Sequence, residues 1–167
     1  MRVQDSSFVF EAPIADVWAV LHPSHSGDQR TNPEDPRVVE HGRIRIEYLS
    51  EGDANGDGLV RHCRFPVPWW MGRRGESWEL LSQVRPPEFA RYDSVARSPW
   101  LRCTGWHQLT DLGDGRTGVH FHEEYEVRNR FLARFLEGPL QRFNTRVNEG
   151  GLVAIVRAGL AANAGRR

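Results

Sequence analysis

The feature that most constrains this fold is a long apolar stripe near the end of the chain. Between Pro139 and Ala162, apolar or small residues recur at spacings of three and four, as on one face of an α-helix. Gly138-Pro139 supplies a start signal, because the first helical position needs no N–H. About 24 residues at ~1.5 Å each give roughly 36 Å, enough to cross a small domain. The sequence therefore predicts one long helix followed by a disordered tail, 163–167.

Two adjacent glycines interrupt the middle of this predicted helix. Each glycine costs about 1 kcal/mol relative to alanine in a helix interior. Gly150-Gly151 either removes bulk so that a strand or a ligand comes close, or marks a kink or a tolerated weak point. Both interpretations stay open on the sequence.

Strand patterns dominate the chain before this helix. Apolar and polar side chains alternate with a period of two, as in Ile44, Ile46 and Tyr48. The predicted strands cover 3–11, 38–51, 59–65, 76–84, 89–96, 100–112 and 117–128, and a helix covers 14–21. This order predicts an α+β, helix-grip fold: a curved seven-stranded antiparallel sheet wrapped around a long C-terminal helix, with short helices after strand 1. We expect a single domain over 1–167.

Composition argues against several functional classes. The 22 basic residues, all arginine, balance 22 acidic ones and form no basic stripe, so nucleic-acid binding is not expected. No run approaches ~20 apolar residues and no secretory pattern opens the chain, so we expect a cytoplasmic protein without a transmembrane segment. Cys63 and Cys103 lie in strand-like runs and are expected to be free core residues.

Four motifs follow one another along the chain. They are the strand–Ala-Pro–helix segment FVFEAPIADVWAVL, the strand ending in Pro-Pro within SWELLSQVRPPEFARY, the GDGRTGV hairpin and the terminal helix. Together, over about Val3 to Ala162, they resemble the START/Bet v 1-like superfamily (SRPBCC), which includes polyketide cyclases and dehydrases. The resemblance implies a sheet gripping the last helix around an apolar cavity, with small-molecule or lipid binding and sometimes cyclisation or dehydration chemistry. Fold alone does not settle function.

The hairpin 100–128 carries the candidate polar site. If Leu109 pairs with Val119, the pairs that face each other further along are His107–Phe121, Gly105–Glu123 and Cys103–Tyr125. A carboxylate in an apolar cavity has its charged form disfavoured and its pKa raised, which suits a general acid or a ligand hydrogen bond. We therefore predict catalytic roles for His107, Glu123 and Tyr125.

Two alternatives to this site stay open. Glu123 can simply pair with an inward arginine such as Arg61 or Arg91, because ionisable groups are rarely buried without partners. A one-residue slip of the hairpin would also swap its faces and bring Thr104, Trp106 and Gln108 inward.

Aromatic side chains are numerous enough to line a site for a flat ligand. In the loop 66–74, Trp69 and Trp70 either cap the mouth of a cavity or form an exposed patch for a partner, a membrane surface or a second copy in a homodimer. The predicted ligand-binding residues are Trp69, Trp70, Trp78, Arg91, Trp106, Phe121, Phe143, Val147 and Gly151.

Two patterns imitate metal sites. The segment DANGDG at 53–58 opens like a calcium loop, but Arg64 stands where a bidentate glutamate is required, so a hairpin turn is expected. His120-x-His122 with Glu126 has metal-ligand character, but apolar residues of opposite parity claim the inner face. We expect no metal and no cofactor.

The leading functional hypothesis is a binding protein for a hydrophobic or aromatic small molecule, held between sheet and terminal helix by apolar walls and a few polar groups. An aromatase/cyclase- or dehydratase-like enzyme is the alternative, and a protein-partner module that uses the Trp69-Trp70 loop is a third.

Overall fold

The computed structural model describes residues 1–22, 38–41, 43–69, 74–96 and 101–165. Its strands are β1 (Arg2–Phe10), β2 (Val38–His41), β3 (Ile44–Ser50), β4 (Val60–Pro66), β5 (Arg74–Arg85), β6 (Phe89–Ala96), β7 (Leu101–Gly113) and β8 (Arg116–Val127). Its helices are α1 (Ile14–Leu21) and α2 (Arg130–Ala164).

The strands form one antiparallel sheet in the order β1-β8-β7-β6-β5-β4-β3-β2. Helix α2 packs against β8, β1 and α1, and α1 also contacts β7 and β8. This arrangement confirms the predicted α+β helix-grip fold.

The strand count was wrong by one within the described ranges, where the sheet has eight strands rather than seven. The predicted strand 38–51 is two strands, because the chain reverses between His41 and Ile44 and β2 pairs antiparallel with β3.

The predicted start of the terminal helix was also wrong. Helix α2 begins nine residues earlier, at Arg130, where the Asn129 side chain accepts hydrogen bonds from the backbone N–H groups of Phe131 (3.0 Å) and Leu132 (3.2 Å). This cap satisfies donors that the first turn leaves free, so the helix forms before Pro139 and continues through it. Its 35 residues span roughly 52 Å. It also continues to Ala164, into the stretch predicted as tail.

Two apolar clusters build the interior. The first joins the sheet to α2 and contains buried Tyr48, Tyr92, Phe121 and Tyr125. The second lies under α1 and centres on Val17, Val119 and Val156, each of which is almost fully buried. The first cluster contains three hydroxyl-bearing side chains, so the polar groups of the site are built into the core.

The DANGDG segment is a turn, as expected. The Asp53 carboxylate accepts the backbone N–H groups of Asn55 (2.8 Å) and Asp57 (2.9 Å), and Asp57 accepts that of Val84 (3.0 Å). Gly58 has a φ of 82°, which favours glycine. The Asp53 carboxylate therefore shapes the turn that joins β3 to β4, and Asp57 ties this turn to β5.

Both cysteines, Cys63 and Cys103, are buried and free, as predicted. No helix in the described ranges is at once long enough and apolar enough to span a bilayer.

Candidate functional site

A cavity of about 200 Å³ lies between the sheet and α2. Strands β2 to β8 and both helices contribute to its wall. The lining residues are Val20, Leu21, Val39, Ile44, Ile46, Tyr48, Arg61, Cys63, Phe65, Pro66, Ser77, Glu79, Tyr92, Ser94, Cys103, His107, Phe121, Glu123, Tyr125, Asn144, Val147, Gly151, Leu152 and Ile155. Most of them are apolar or aromatic, and the charged and polar ones come mainly from β4 to β8.

The register of the β7–β8 hairpin sets the polar part of this wall. Leu109 pairs with Val119, so all three predicted facing pairs are confirmed and the one-residue slip is excluded. His107, Glu123 and Tyr125 consequently face the cavity. Their proposed catalytic roles stay predictions.

The Glu123 carboxylate is held by two phenols. The hydroxyl groups of Tyr92 and Tyr125 both donate short hydrogen bonds to it, and the Cys103 thiol lies 3.4 Å from Oε1. Tyr92, Glu123 and Tyr125, the phenol–carboxylate cluster, are 4%, 6% and 5% exposed. Burial, and then the Glu123 charge, raise the pKa of the Tyr92 phenol well above its usual range, so this phenol stays a neutral donor.

Gly105 makes room for this cluster. It pairs with Glu123 across the hairpin, and a Cβ at this position would lie 2.5 Å from the Tyr92 hydroxyl oxygen. That separation is far below van der Waals contact. Glycine at 105 therefore allows the Tyr92 phenol to cross β7 and reach the carboxylate.

Polar contacts continue from the cluster to α2. The Tyr125 hydroxyl lies 3.3 Å from Gln4 Oε1, Gln4 Nε2 donates to Ser6 Oγ at 3.3 Å, and Ser6 Oγ donates to Glu149 Oε1 at 2.7 Å. Gln4 and Ser6 are buried on β1. The polar wall of the cavity is therefore linked through β1 to the helix that closes it.

A buried ion pair lies on the neighbouring strands. Arg61 Nε donates to Glu79 Oε2 at 2.6 Å, with the side chains 11% and 13% exposed. Burial opposes the guanidinium charge, but the Glu79 carboxylate more than offsets it and raises the pKa of Arg61. Among the described lining residues, Arg61 is therefore the one permanent cation, and it is already engaged with a carboxylate.

His107 is a neutral imidazole at this wall. Burial, assisted by the nearby Arg61 charge, lowers the pKa of His107 to about 3. Its ring packs on Phe121, with centroids 4.9 Å apart, and its Nδ1 has no hydrogen-bond partner in the described part of the chain. A neutral ring offers one donor and one acceptor to a ligand.

The two mid-helix glycines have different surroundings. Gly151 lines the cavity, and a Cβ there would lie 3.1 Å from Ile44 Cδ1, whereas a Cβ at Gly150 would meet nothing within 4 Å. The close-approach interpretation therefore holds for Gly151, and Gly150 is a tolerated weak point.

No family model matches this sequence, and no curated protein matches it. Solved structures match almost the whole chain. The Zhui aromatase/cyclase from Streptomyces sp. R1128 is similar with a TM-score of 0.66 and 17% identity, over 95% of this chain and 93% of that one. Ara h 8.0201 has a TM-score of 0.66 and 13% identity, over 96% and 98%. Norcoclaurine synthase from Thalictrum flavum has a TM-score of 0.60 and 18% identity, over 96% and 84%.

The chain has the START/Bet v 1-like fold. At these identities the likeness establishes the fold alone, so the activity has to be argued from the cavity itself.

Three predicted ligand-binding residues lie on the outer face of the START/Bet v 1-like sheet, and their prediction was wrong. Arg91 pairs across the ladder with Trp106, and its Nε lies 3.7 Å from Asp93 Oδ2. Trp106 stacks on His122 at 5.0 Å, and Trp78 stacks on His62 at 4.5 Å. The physical reason is strand alternation, which places all three opposite in parity to the lining residues.

The remaining predicted ligand-binding residues have mixed outcomes. Phe121, Val147 and Gly151 line the cavity, whereas Phe143 is half-buried on α2 outside its lining. Trp69 is 79% exposed and also lies outside the lining, so this side chain does not cap the mouth. Trp70 lies outside the described residues.

His120 and His122, on the outer face of the sheet, contact the carboxylate of Asp5. Asp5 Oδ1 lies 3.2 Å from His120 Nε2 and 2.8 Å from His122 Nδ1. The hydrogen bond from His122 lowers the pKa of Asp5. Among the described residues, no group of three or more His, Cys, Asp or Glu side chains is arranged to hold a metal ion.

Sequence reasoning missed two lining residues that matter chemically, Tyr92 and Glu79, and named Arg61 only as a partner for Glu123. Tyr92 alternates with Arg91 along β6, so the parity that places Arg91 outside was the signal for Tyr92 inside. The Arg61–Glu79 pair had no local signal, because these residues meet only once β4 and β5 pair in register.

Proposed function

We propose that this protein binds a hydrophobic or aromatic small molecule, lipid- or polyketide-like, between the sheet and α2. The observation that carries the proposal is the cavity itself, which combines apolar walls with a few fixed polar groups at one side. Binding sites for small molecules have this composition, since apolar walls supply affinity and polar groups orient the ligand.

The size of the cavity narrows the class of ligand. Drug-sized sites enclose about 300–1,000 Å³, and an apolar cavity of roughly 150 Å³ is enough to hold benzene. The volume here, about 200 Å³, lies between these values. It favours a molecule of one or two aromatic rings over a long-chain lipid.

Native mass spectrometry of the protein purified from its own host tests this proposal. We expect a bound mass of an aromatic or otherwise apolar compound that is released on denaturation. A protein that carries no bound mass, and also takes up no aromatic hydrocarbon from solution, would contradict the proposal.

A second candidate is an aromatase/cyclase- or dehydratase-like enzyme. The specific observation in its favour is that neutral His107 and the phenol–carboxylate cluster share one wall of the cavity. Loss of water from a β-hydroxy ketone requires a base for the α-proton and a donor for the departing hydroxyl. In this second proposal His107 accepts the α-proton, and a phenol of the cluster protonates the departing hydroxyl group.

Substitutions of two adjacent glutamates distinguish the enzyme hypothesis from the binding hypothesis. Glu123 faces the cavity, whereas Glu124 is half-exposed with its Oε1 3.5 Å from His122 Nε2 on the outer face. If the protein is an enzyme, Glu123→Gln should lower turnover of a short poly-β-ketone thioester by roughly 100-fold or more, with binding retained. Glu124→Gln should leave turnover unchanged. Absence of water loss or cyclisation in the wild-type protein, followed by mass spectrometry, argues for binding alone.

The exposed Trp69 supports a further role in association. Trp69 is 79% exposed, and tryptophan is enriched at protein interfaces. If Trp69 mediates a homodimer, sedimentation should show concentration-dependent association that Trp69→Ala abolishes. A monomer at all concentrations would remove this role.

We also propose a cytoplasmic location, since Cys63 and Cys103 are both free and a reducing compartment keeps thiols so.

A further inference from the structure

A half-buried and a buried histidine ring, those of His22 and His107, meet where α1 ends. His22 directly follows α1, and its backbone N–H donates to the Trp18 carbonyl at 2.8 Å, which fixes the residue against the helix. Its ring lies 4.2 Å from that of Trp18 and 5.6 Å from that of His107, the latter at 67°. His107 lines the cavity, as do Val20 and Leu21 just before His22. Within the imidazole pair His22–His107, His107 forms part of the cavity wall, and the His22 ring packs edge-on against it from the end of α1.

The nitrogen atoms of this pair lack partners. His22 Nδ1, His22 Nε2 and His107 Nδ1 are all buried without a hydrogen-bond partner in the described ranges. Buried polar atoms are nearly always hydrogen-bonded, because water satisfies them in the unfolded chain and leaving them unmade is costly. Three such atoms on two neighbouring rings are open to a hydrogen-bonding partner that the described residues do not supply.

The charge state of the pair restricts what that partner is. Burial lowers the pKa of His22 well below its usual range, and the nearby charge of His107 lowers it further. The pKa of His107 is also lowered, as described above. Each neutral ring presents one N–H donor and one bare acceptor nitrogen. A hydroxyl group accepts from one ring and donates to the other, so it completes one nitrogen of each ring.

Charged groups match this pair less well. A carboxylate only accepts hydrogen bonds, and would leave the bare nitrogen of a neutral ring unsatisfied. An ammonium group only donates, and the positive charge of Arg61, which already acts on both histidines, disfavours a second cation.

We propose that His22 and His107 bind the hydroxyl group of an uncharged hydroxyaryl ligand whose ring occupies the apolar part of the cavity. This inference rests on the proposed binding function and adds a specificity-determining residue, His22, to the predicted site. The ring of such a ligand would meet Phe121 and the α2 residues of the lining.

Paired titration calorimetry tests the inference with two probes of similar shape. 2-Naphthol carries the hydroxyl group, and 2-methylnaphthalene replaces it with a methyl group. We expect the wild-type protein to bind 2-naphthol about tenfold more tightly, as one or two well-made hydrogen bonds would give. His22→Phe and His107→Phe should each bring this ratio close to one.

His62→Phe is the matched control. His62 is also buried and stacks on a tryptophan, and among the described residues its Nε2 has no hydrogen-bond partner, although Glu76 Oε2 lies 3.8 Å away. It lies on the outer face of the sheet, away from the cavity. It should retain the wild-type ratio. A ratio that falls equally in this variant overturns the inference, because the loss would then follow from general destabilisation.

A measurement on the wild-type protein also tests whether the two histidines bind the hydroxyl group, even if the variants fail to fold. Nitrogen-15 NMR of the histidine rings should show shifts of His22 and His107 with 2-naphthol but not with 2-methylnaphthalene. Equal affinity for both compounds overturns the hydroxyl inference and leaves the proposed cavity binding intact. Binding of neither compound overturns both.

Discussion

His107 shows what burial does to a single titratable residue in this fold. Its folded-state pKa, about 3, is far below the ordinary value of 6.5, because burial disfavours the imidazolium. Between these values the unfolded chain binds a proton that the folded chain does not. The stability that depends on a neutral His107 is therefore complete above about pH 6.5 and is lost as the pH falls towards 3.

We predict that acid destabilises the folded protein. The free energy of unfolding should decrease by about 1.4 kcal/mol per pH unit for each such histidine below about pH 6. His22 has its pKa lowered in the same direction and adds to the slope. Urea denaturation at a series of pH values measures the free energy of unfolding. This free energy should fall less steeply with decreasing pH in His107→Phe than in the wild-type protein. If the free energy of unfolding has the same pH dependence in both proteins, His107 is protonated in the folded protein over this pH range.

At the scale of elements, the β7–β8 hairpin positions the phenol–carboxylate cluster through Gly105. A methyl group at this position would lie 2.5 Å from the Tyr92 hydroxyl and 2.6 Å from the His122 carbonyl oxygen. The backbone cannot move away without disturbing its pairing with Glu123.

We therefore predict that Gly105→Ala destabilises the protein by about 1–3 kcal/mol, the usual cost of overpacking. Gly118→Ala, on the same hairpin, is the control, because its methyl group would meet only the Leu112 side chain at 3.5 Å or more. Chemical denaturation of both variants measures the difference. Equal stabilities would mean that the Tyr92 phenol does not pass over Gly105.

Elements with strong local signals were predictable from the sequence. Helix α1 has the predicted bounds, because Pro13 ends the preceding strand and starts the helix. The hairpin register followed from the Gly113-Asp114-Gly115 turn and the alternation on both sides of it. The start of α2 was not found, because the Asn129 cap acts earlier than the Gly-Pro signal.

The site was less predictable than its elements, for physical reasons. Trp78 and Trp106 were chosen for their size, but alternation along a strand decides which face a side chain occupies. The Arg61–Glu79 contact depends on how two strands pair, and the contact of His22 with His107 joins residues far apart in sequence. Local pattern carries no information about such contacts.

At the scale of the whole molecule, the long helix α2 closes the concave side of the sheet, which has eight strands in the described ranges, and leaves a hollow beside Gly151. Gly151 lies on this inner side and Gly150, its neighbour, is exposed with open space beyond its Cα. These adjacent residues therefore report on the two sides of one helix.

Titration of 2-methylnaphthalene into the wild-type protein, Gly150→Leu and Gly151→Leu tests this arrangement most directly. Leucine at 151 should fill the hollow and weaken binding at least about tenfold, as a loss of ~1.4 kcal/mol would give. Leucine at 150 should leave the affinity unchanged. If Gly151→Leu binds as tightly as the wild-type protein, the ligand does not enter the space between sheet and helix.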